Sequence, residues 1–302
     1  MILLSLLACE AQDLSQPFIV DRTRLLGLQA EPAEPAPGDQ VTFSSLAVDP
    51  VAGGIEAVTW IGCLIEDSSS SFGCNPDYAA IEDLLAVDVD SLPPQEQLAW
   101  FQDLRAAGFL GVEPDFTPGL TVPEDLLEGL TEDEQQEGKN YILTVSALPV
   151  GLEDLENFED VGDEAIGEVG MKRMPVSLGE TPNNNPEVVS MRIEDEHVLL
   201  DGDTLTVTHG QTYSLEPLLS EASIEDYVFV NSDGETENRT EEPYFTYYST
   251  HGSFDNPYGL APFFEANWTA PVDPPDDDVT IWMVIRDRRG GMAWSTLHIV
   301  VE

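Results

Sequence analysis

The sequence is poor in basic residues. Only 11 Lys and Arg stand against 58 Asp and Glu, which gives a formal net charge of −47. A surface of this charge repels a phosphate backbone, so nucleic-acid binding through a basic face is excluded. The same imbalance disfavours docking on anionic lipid through a polybasic segment.

Long apolar runs and catalytic motifs are also missing. No stretch approaches the ~18 apolar residues of a transmembrane helix. Nucleophile elbows, HExxH, P-loops and GxGxxG are absent, and the four histidines are scattered without metal-ligand spacing. We therefore predict a protein that is not an enzyme. Because carboxylates are abundant, a hydrolase of unrecognised type stays an alternative.

The remaining composition is that of a folded protein. A hydrophobic fraction of 42% over 302 residues is too high for a disordered acidic chain, and the length suggests about two domains. The acidic residues are concentrated in the middle, where residues 61–170 contain 26 of them and only two basic residues.

The first third of the chain alternates like β-strands between turn signals. Strands are predicted over 24–30, 40–48 and 55–63, separated by Pro-Gly-Asp and Gly-Gly turns. The order PxPGDxVTF, then Asp-Pro, then a strand containing Trp60, resembles PKD-like and bacterial immunoglobulin-like domains. This resemblance implies that Trp60 lies in the core of a β-sandwich.

Residues 75–138 switch to helical signals. Leu98, Phe101 and Leu104 recur at helical spacing after Pro93-Pro94, and Gly108 ends the stretch. Pro123 is predicted to begin a second short helix. Thr131 and Glu134 form a capping-box pattern for a third, which Gly138 ends. We expect these acidic helices to be an insertion in the first sandwich.

Strand patterns resume at 141–148 and 171–178, with a loop between them, and return after residues 181–186, among others at 204–207. The segment TPNNNP has the composition of an interdomain linker. The C-terminal sequence VTIWMVIRDRRGGMAWSTLHIVV resembles the last hairpin of the same sandwich families. In it a strand ending in Arg-Asp leads into a glycine turn.

These patterns predict a mainly all-β protein with two tandem immunoglobulin-like β-sandwiches, the first with a short acidic helical insertion. The predicted division is a signal peptide with lipobox at 1–9, a tether at 10–17, a first sandwich at 18–180 with its insert at about 75–138, a linker at 181–186 and a second sandwich at 187–302.

The N-terminal sequence MILLSLLAC resembles the lipobox of bacterial lipoproteins, which implies that Cys9 carries a lipid. The apolar run is shorter than a signal peptide and no basic residue precedes it, so we expect the true start to lie upstream. The alternative is a short buried strand at the start of a soluble domain.

The other two cysteines form a natural pair if Cys9 is lipidated. Cys63 and Cys74 enclose a short Ser-rich loop, which a disulfide could hold where core packing cannot. A metal site is the competing interpretation, but no CxxC and no paired histidine complete it.

Three further clusters are candidate sites. Residues 244–268 contain nine of the 25 aromatics, so Tyr244, Tyr247, Tyr248 and Tyr258 could form a glycan-binding surface or fill the core. A loop with Asp273, Asp276, Asp277 and Asp278 could bind Ca²⁺ or be simply solvated. The last cluster is basic, and we expect it to bridge to the Asp276–Asp278 loop: Arg286, Arg288 and Arg289.

The function predicted from these features is that of an outer-membrane lipoprotein facing the periplasm or the cell surface. It would act as a non-catalytic interaction or structural module of the envelope, bound to the membrane through its lipid and to an unidentified envelope protein or glycan. The alternative is a surface protein that binds carbohydrate or another ligand through residues 244–268. No cofactor is predicted apart from the Ca²⁺ candidate.

Overall fold

A computed structural model of the chain describes residues 17–50, 54–64, 76–149, 167–194, 197–230, 236–273 and 278–302. It is mainly β, with strands arranged in several sheets, as the sequence patterns predicted. Two sandwiches follow one another along the chain, each with its own cluster of buried apolar side chains.

The first sandwich pairs a three-stranded sheet, in the order β1-β2-β5, with a four-stranded sheet, in the order β4-β3-β6-β7. Its strands are β1 (Arg24–Glu31), β2 (Gln40–Val48), β3 (Ala57–Leu64), β4 (Phe109–Glu113), β5 (Gly119–Thr121), β6 (Lys139–Leu148) and β7 (Glu168–Val176).

Trp60 lies at the centre of the first core. Its side chain is fully buried, and its ring stacks on Phe43 with the centroids 5.3 Å apart. The two residues come from β3 and β2, which belong to different sheets, so this contact joins the two layers. The indole nitrogen donates a hydrogen bond of 3.3 Å to a carboxylate oxygen of Glu113. The predicted core position of Trp60 is confirmed.

The segment 76–138 contains the predicted helices only in part. α1 (Tyr78–Leu85), α2 (Pro94–Ala106) and α3 (Glu132–Glu137) form, and the Thr131–Glu134 capping box is present at the start of α3. The helix predicted from Pro123 is wrong, because residues 124–129 form consecutive turns with i→i+3 hydrogen bonds. The segment also supplies β4 and β5, one strand to each sheet, and so completes the sandwich.

The second sandwich has two five-stranded sheets, in the orders β10-β19-β18-β14-β16 and β15-β17-β11-β8-β9. Its strands are β8 (Val188–Ile193), β9 (His197–Leu199), β10 (Thr204–Val207), β11 (Thr212–Leu219), β14 (Tyr244–Ser249), β15 (Ser253–Phe254), β16 (Tyr258–Leu260), β17 (Ala266–Thr269), β18 (Asp278–Arg286) and β19 (Met292–Val301). A separate hairpin is formed by β12 (Asp226–Val230) and β13 (Thr236–Thr240).

The predicted C-terminal hairpin forms between β18 and β19, paired from Asp278↔Val300 to Arg286↔Met292. Its turn is organised by Asp287, whose Oδ1 accepts hydrogen bonds from the backbone N–H groups of Arg289, Gly290 and Gly291. A Cβ on Gly291 would lie only 2.0 Å from Asp287 Oδ2, so this position requires glycine. The Asp-x-x-Gly-Gly sequence thus fixes a tight turn that carries three arginines beside it.

Candidate functional site

The two sandwiches are joined by a packed junction. Its apolar part contains Leu26 of β1 together with Trp282 and Val284 of β18, all buried. The ring of Trp294 lies so close to Gly27 that a Cβ there would be 3.0 Å from the indole. Glycine on β1 therefore lets a tryptophan of one sandwich approach the backbone of the other.

The start of the described chain also belongs to this junction. The Val20 N–H donates to the Ser249 carbonyl at 2.9 Å, and the Ser249 N–H donates to the Phe18 carbonyl at 3.0 Å. Residues 18–20, expected at the beginning of the first sandwich, therefore pair with β14 of the second. The chain is held to the second sandwich before it enters the first.

The segment predicted as a linker crosses the junction in a fixed conformation. Asn183 is 1% exposed, and its amide donates to Asp287 Oδ2 at 2.9 Å. Asn185 donates to the Ala30 carbonyl at 2.7 Å and accepts from the Met292 N–H at 2.9 Å. The side chains of TPNNNP thus bond to strands of both sandwiches, which opposes hinge motion between them.

Arg289 is the centre of a buried ionic cluster. Its guanidinium pairs with Glu34 at 3.3 Å, Glu225 at 3.2 Å and Glu241 at 3.0 Å, and donates to the Thr181 carbonyl at 2.6 Å. We call these four charged residues the Arg289 cluster. Glu34 lies between β1 and β2 of the first sandwich, whereas the other three members follow β11 of the second. The cluster therefore ties the first sandwich to the second.

The partners expected for the three arginines are not the ones found among the described residues. Asp278 begins β18, whereas Arg286 ends it, so the length of the strand separates them. Arg286 instead donates to the Leu26 carbonyl at 2.9 Å, and Arg288 pairs with Glu242 at 3.4 Å. Asp276 and Asp277 lie outside the described residues.

Burial sets the electrostatics of the Arg289 cluster. Desolvation, with a further contribution from the charge of Asp287, raises the pKa of Glu241 to about 7, against the lowering effects of the Glu225 backbone N–H and of Arg289. The carboxyl group thus takes up a proton near neutral pH in spite of its arginine neighbour. Its bonds to Arg289 and to the Glu225 N–H indicate a structural role.

A cleft of about 860 Å³ opens beside this cluster. It lies between the first sandwich and the β12–β13 hairpin, with Glu34, Arg288 and Arg289 among its lining residues. Tyr227 of the hairpin packs its ring 4.5 Å from the Arg289 guanidinium carbon. Glu34, the glutamate of the Arg289 cluster that lines this cleft, is ion-paired with Arg289.

The four tyrosines of the candidate glycan surface do not act together. Tyr247 is fully buried, and its hydroxyl lies 3.4 Å from the Leu215 carbonyl, so its proposed ligand contact is wrong. Tyr248 packs in the junction and Tyr244 is half-buried next to Arg286. Tyr258, 54% exposed, is the member of the set that is open to solvent.

The remaining predicted sites fall partly or wholly outside the described residues. Asp273 and Asp278 are exposed, and no group of three or more His, Cys, Asp or Glu side chains within the described ranges is arranged to hold a metal. Cys63 is half-buried on β3 and is not a free thiol. Cys9 and Cys74 are outside the described ranges, so the lipidation and the Cys63–Cys74 pairing stay predictions.

The junction residues were missed by sequence reasoning for an identifiable reason. Three arginines within four positions, in a chain of only 11 basic residues, did mark the hairpin. Nothing marked Glu34, which lies 255 positions from Arg289 and is one of 58 acidic residues.

None of the helices in the described part of the chain is long and apolar enough for a membrane span. No protein-family model matches the chain, and neither does any curated protein.

Three solved structures show weak likenesses. A nucleoside hydrolase-related hypothetical protein from Saccharophagus degradans, associated with carbohydrate metabolism, is 15% identical over 51% of this chain and 39% of its own, with a TM-score of 0.26. Dimeric latent PorU from Porphyromonas gingivalis is 10% identical over 94% and 24%, with a TM-score of 0.22. The protocadherin GammaB4 extracellular domain is 12% identical over 91% and 34%, with a TM-score of 0.18. The chain thus spans well under half of each, and at these TM-scores the likenesses carry no argument about fold or function.

Proposed function

We propose that this chain is a non-catalytic interaction or structural module of the bacterial envelope, held in the outer membrane by a lipid on Cys9. The observation that carries the structural part is the junction. An apolar contact through Trp294 and a largely buried cluster around Arg289 join the two sandwiches, and these contacts would hold them as one rigid unit. A rigid pair of sandwiches is suited to presenting a surface at a fixed distance from its anchor.

The anchor itself is proposed from the LLAC sequence at residues 6–9. Eight residues separate Cys9 from Phe18, the residue whose carbonyl bonds to Ser249. An extended chain covers at most ~3.5 Å per residue, so this tether would reach up to about 30 Å. The lipid would therefore hold the second sandwich near the membrane, since residues 18–20 pair with that sandwich.

Lipidation is tested by growing expressing cells with an alkyne fatty acid and detecting the label on the purified protein. Expression from the native gene, with its upstream region, keeps any natural export signal in place. We expect label on the wild type and on Cys74→Ser, and none on Cys9→Ser. Equal labelling of all three would end the lipoprotein proposal.

Rigidity is tested separately by ¹⁵N relaxation of the chain from residue 17 onward. A single rigid unit gives one rotational correlation time for amides of both sandwiches. Two distinct correlation times would contradict the structural part of the proposal, whatever the result for Cys9.

A second candidate function is ligand binding at an exposed aromatic patch. Phe263 is 80% exposed, Leu260 43% and Tyr258 54%, and all three lie on or beside the edge strand β16. The aromatic rings of Phe263 and Tyr258 can stack on sugar rings. Binding to immobilised glycans that falls in Phe263→Ala, but not in the control Val272→Ala, would support this function. Val272 is matched because it is also an exposed apolar residue, at 77%.

A further inference from the structure

A second depression at the junction is lined by basic side chains. It has a volume of about 380 Å³ and lies between β1, β7, β14 and the turn after β18. Lys172, Arg173, Arg286 and Arg288 all line it. We call it the basic groove. Four of the chain's 11 basic residues thus border one small space, with the Lys172 side chain buried and the Arg173 side chain on the opposite face of β7.

The basic groove has no Asp or Glu among the described residues that line it. Lys172 donates to the Gly290 carbonyl at 2.5 Å, Arg173 to the Asn140 side-chain oxygen at 2.8 Å and Arg286 to the Leu26 carbonyl at 2.9 Å. These three cations form no ion pair with any carboxylate in the part of the chain that the structure describes.

This arrangement is unexpected from composition. With 58 acidic residues for 11 basic ones, a cation placed at random would have a carboxylate close by. Within the described ranges Arg288 is the one of the four with such a partner, Glu242, and both side chains are more than half exposed. An exposed pair of this kind is weak and leaves the guanidinium free to exchange partners.

Asp287 is the carboxylate that acts electrostatically on Lys172, and both of its oxygens are already engaged in hydrogen bonds. Asp287 is 1% exposed, its Oδ1 accepts three backbone N–H groups and its Oδ2 accepts the Asn183 amide. It therefore stabilises the turn under the groove and does not fill the groove itself. Among the described residues, the lining of the groove itself therefore adds no carboxylate on its open side.

The walls of the groove are partly apolar. Tyr244 is half-buried there with its ring centroid 5.9 Å from the Arg286 guanidinium carbon, and Met171, 56% exposed, lies on the neighbouring β7. The C–H face of a sugar ring could rest on Tyr244 while its carboxylate meets the arginines. Planar guanidinium groups bind carboxylates through paired N–H donors, which favours a carboxylate over a neutral ligand.

We propose that the basic groove binds a carboxylate-bearing small molecule of about the size of one sugar ring. An extended polyanion is disfavoured, because the net charge of −47 repels it outside the groove. A single carboxylate feels mainly the nearby cations, since exposed charges beyond ~8 Å are screened at physiological salt. The proposal stands independently of the lipid anchor and of the module function.

The test is an NMR titration of the ¹⁵N-labelled protein with glucuronate, using glucose and sulfate as matched probes. Glucuronate should give saturable shifts at amides of β7 and of residues 286–292, and the affinity should fall as salt is raised to about 0.5 M, where screening is stronger. Glucose lacks the charge and should give no saturable shift. Sulfate lacks the ring and should bind at least several-fold more weakly.

Two variants make the test specific. Arg288→Gln removes a cation that borders the groove and is more than half exposed, and we expect glucuronate affinity to fall about tenfold with a nearly unchanged melting temperature. Arg192→Gln removes an arginine of the second sandwich that pairs with Glu216 and does not line the groove, so affinity should stay the same. Absence of saturable binding, or equal losses in the two variants, would overturn the proposal. Sulfate binding as tight as glucuronate binding would overturn the choice of ligand class.

Discussion

The hairpin of β18 and β19 contributes to two neighbouring regions with opposite electrostatic designs. In the Arg289 cluster one guanidinium serves three glutamates, and the Arg289 side chain is only 14% exposed. In the basic groove several cations bond to neutral oxygens and no described carboxylate lines the space. The same few residues, 286–289, supply cations to both.

The comparison shows which charged groups stabilise the junction between the sandwiches. A desolvated cation enclosed by anions stabilises a junction because removing it leaves several uncompensated charges. Cations that rest on carbonyl and amide oxygens keep their attraction for an outside anion. In a chain with so few basic residues, this division of arginines separates a structural region from one able to recognise a ligand.

The largest expected effect comes from breaking the Arg289 cluster. Arg289→Met leaves Glu34, Glu225 and Glu241 without their cation at low exposure. Loss of one partner of a buried pair typically costs about 3 to 5 kcal/mol. Urea unfolding at pH 8 should show this loss, and adding Glu241→Gln should recover part of it. A loss below about 1 kcal/mol, the range of an exposed pair, would show that the cluster is not structural.

Trp294→Ala should cause the second-largest loss of stability. It removes the ring that packs on Gly27, and a large-to-small change at a half-buried aromatic site should cost about 2 to 3 kcal/mol. Because the ring belongs to the contact between sandwiches, calorimetry should show the single unfolding transition splitting into two. Tyr213→Ala, at another half-buried aromatic within the second sandwich, should lower stability without splitting the transition.

The pH dependence of stability tests the buried glutamate. The pKa of Glu241 is raised from its ordinary 4.5 to about 7, so between these values the folded state binds the proton that the unfolded state has lost. Stability from this group is complete below pH 4.5 and is lost as the pH rises through 7. Over this range the wild type should lose roughly 2 to 3 kcal/mol more than Glu241→Gln, since one pKa unit corresponds to about 1.4 kcal/mol. Parallel profiles of the two proteins in urea would disprove this shift.

The contribution of Lys172, in the basic groove, to stability should change with pH in the opposite direction. Burial lowers its pKa from 10.5 to about 8, with Asp287 opposing and Arg286 adding to the effect. Between those values the unfolded state binds the extra proton, so stability rises with pH and is lost as the pH falls through 8. The wild type should therefore gain stability relative to Lys172→Met from about pH 8 to 10.5, by roughly 2 to 3 kcal/mol. A flat difference between their denaturation midpoints over that range would contradict the assignment.

The smallest effect is expected at the exposed pair of Arg288 and Glu242. Both side chains are more than half exposed, and exposed pairs contribute about 0 to 1 kcal/mol. Glu242→Gln should leave the urea midpoint nearly unchanged, while freeing Arg288 should strengthen glucuronate binding modestly. A stability loss as large as that of Arg289→Met would erase the distinction between the two regions.

Local patterns predicted the parts of the fold that depend on near neighbours. The bounds of β2 and β10, the C-terminal hairpin and the capping box of α3 agree with the structure, because each rests on alternation, turn residues or an i,i+3 pair. The helix predicted from Pro123 is wrong. Its short apolar stretch instead contributes Leu126 and Leu127 to the first core, and tertiary packing outweighs a weak helical preference.

The candidate sites were less predictable, because they depend on residues far apart in sequence. The basic groove combines residues of β1 and β7 with a turn more than 100 positions later, as in the Lys172–Gly290 bond. The aromatic segment could be read as core or as surface, and the structure divides it, with Tyr247 buried and Tyr258 exposed.

By itself, the sequence determined that the chain folds into mainly β-structure, that Trp60 lies in a core and that the last two strands form a tight hairpin. These properties follow from side-chain periodicity, from volume and from the backbone requirements of glycine. Only the tertiary structure decided which of 58 carboxylates pair with Arg289, which of the described cations have no described carboxylate partner, and that TPNNNP is hydrogen-bonded in place. Charges and amides act through space over a few ångströms, and their partners are therefore chosen by how the two sandwiches pack.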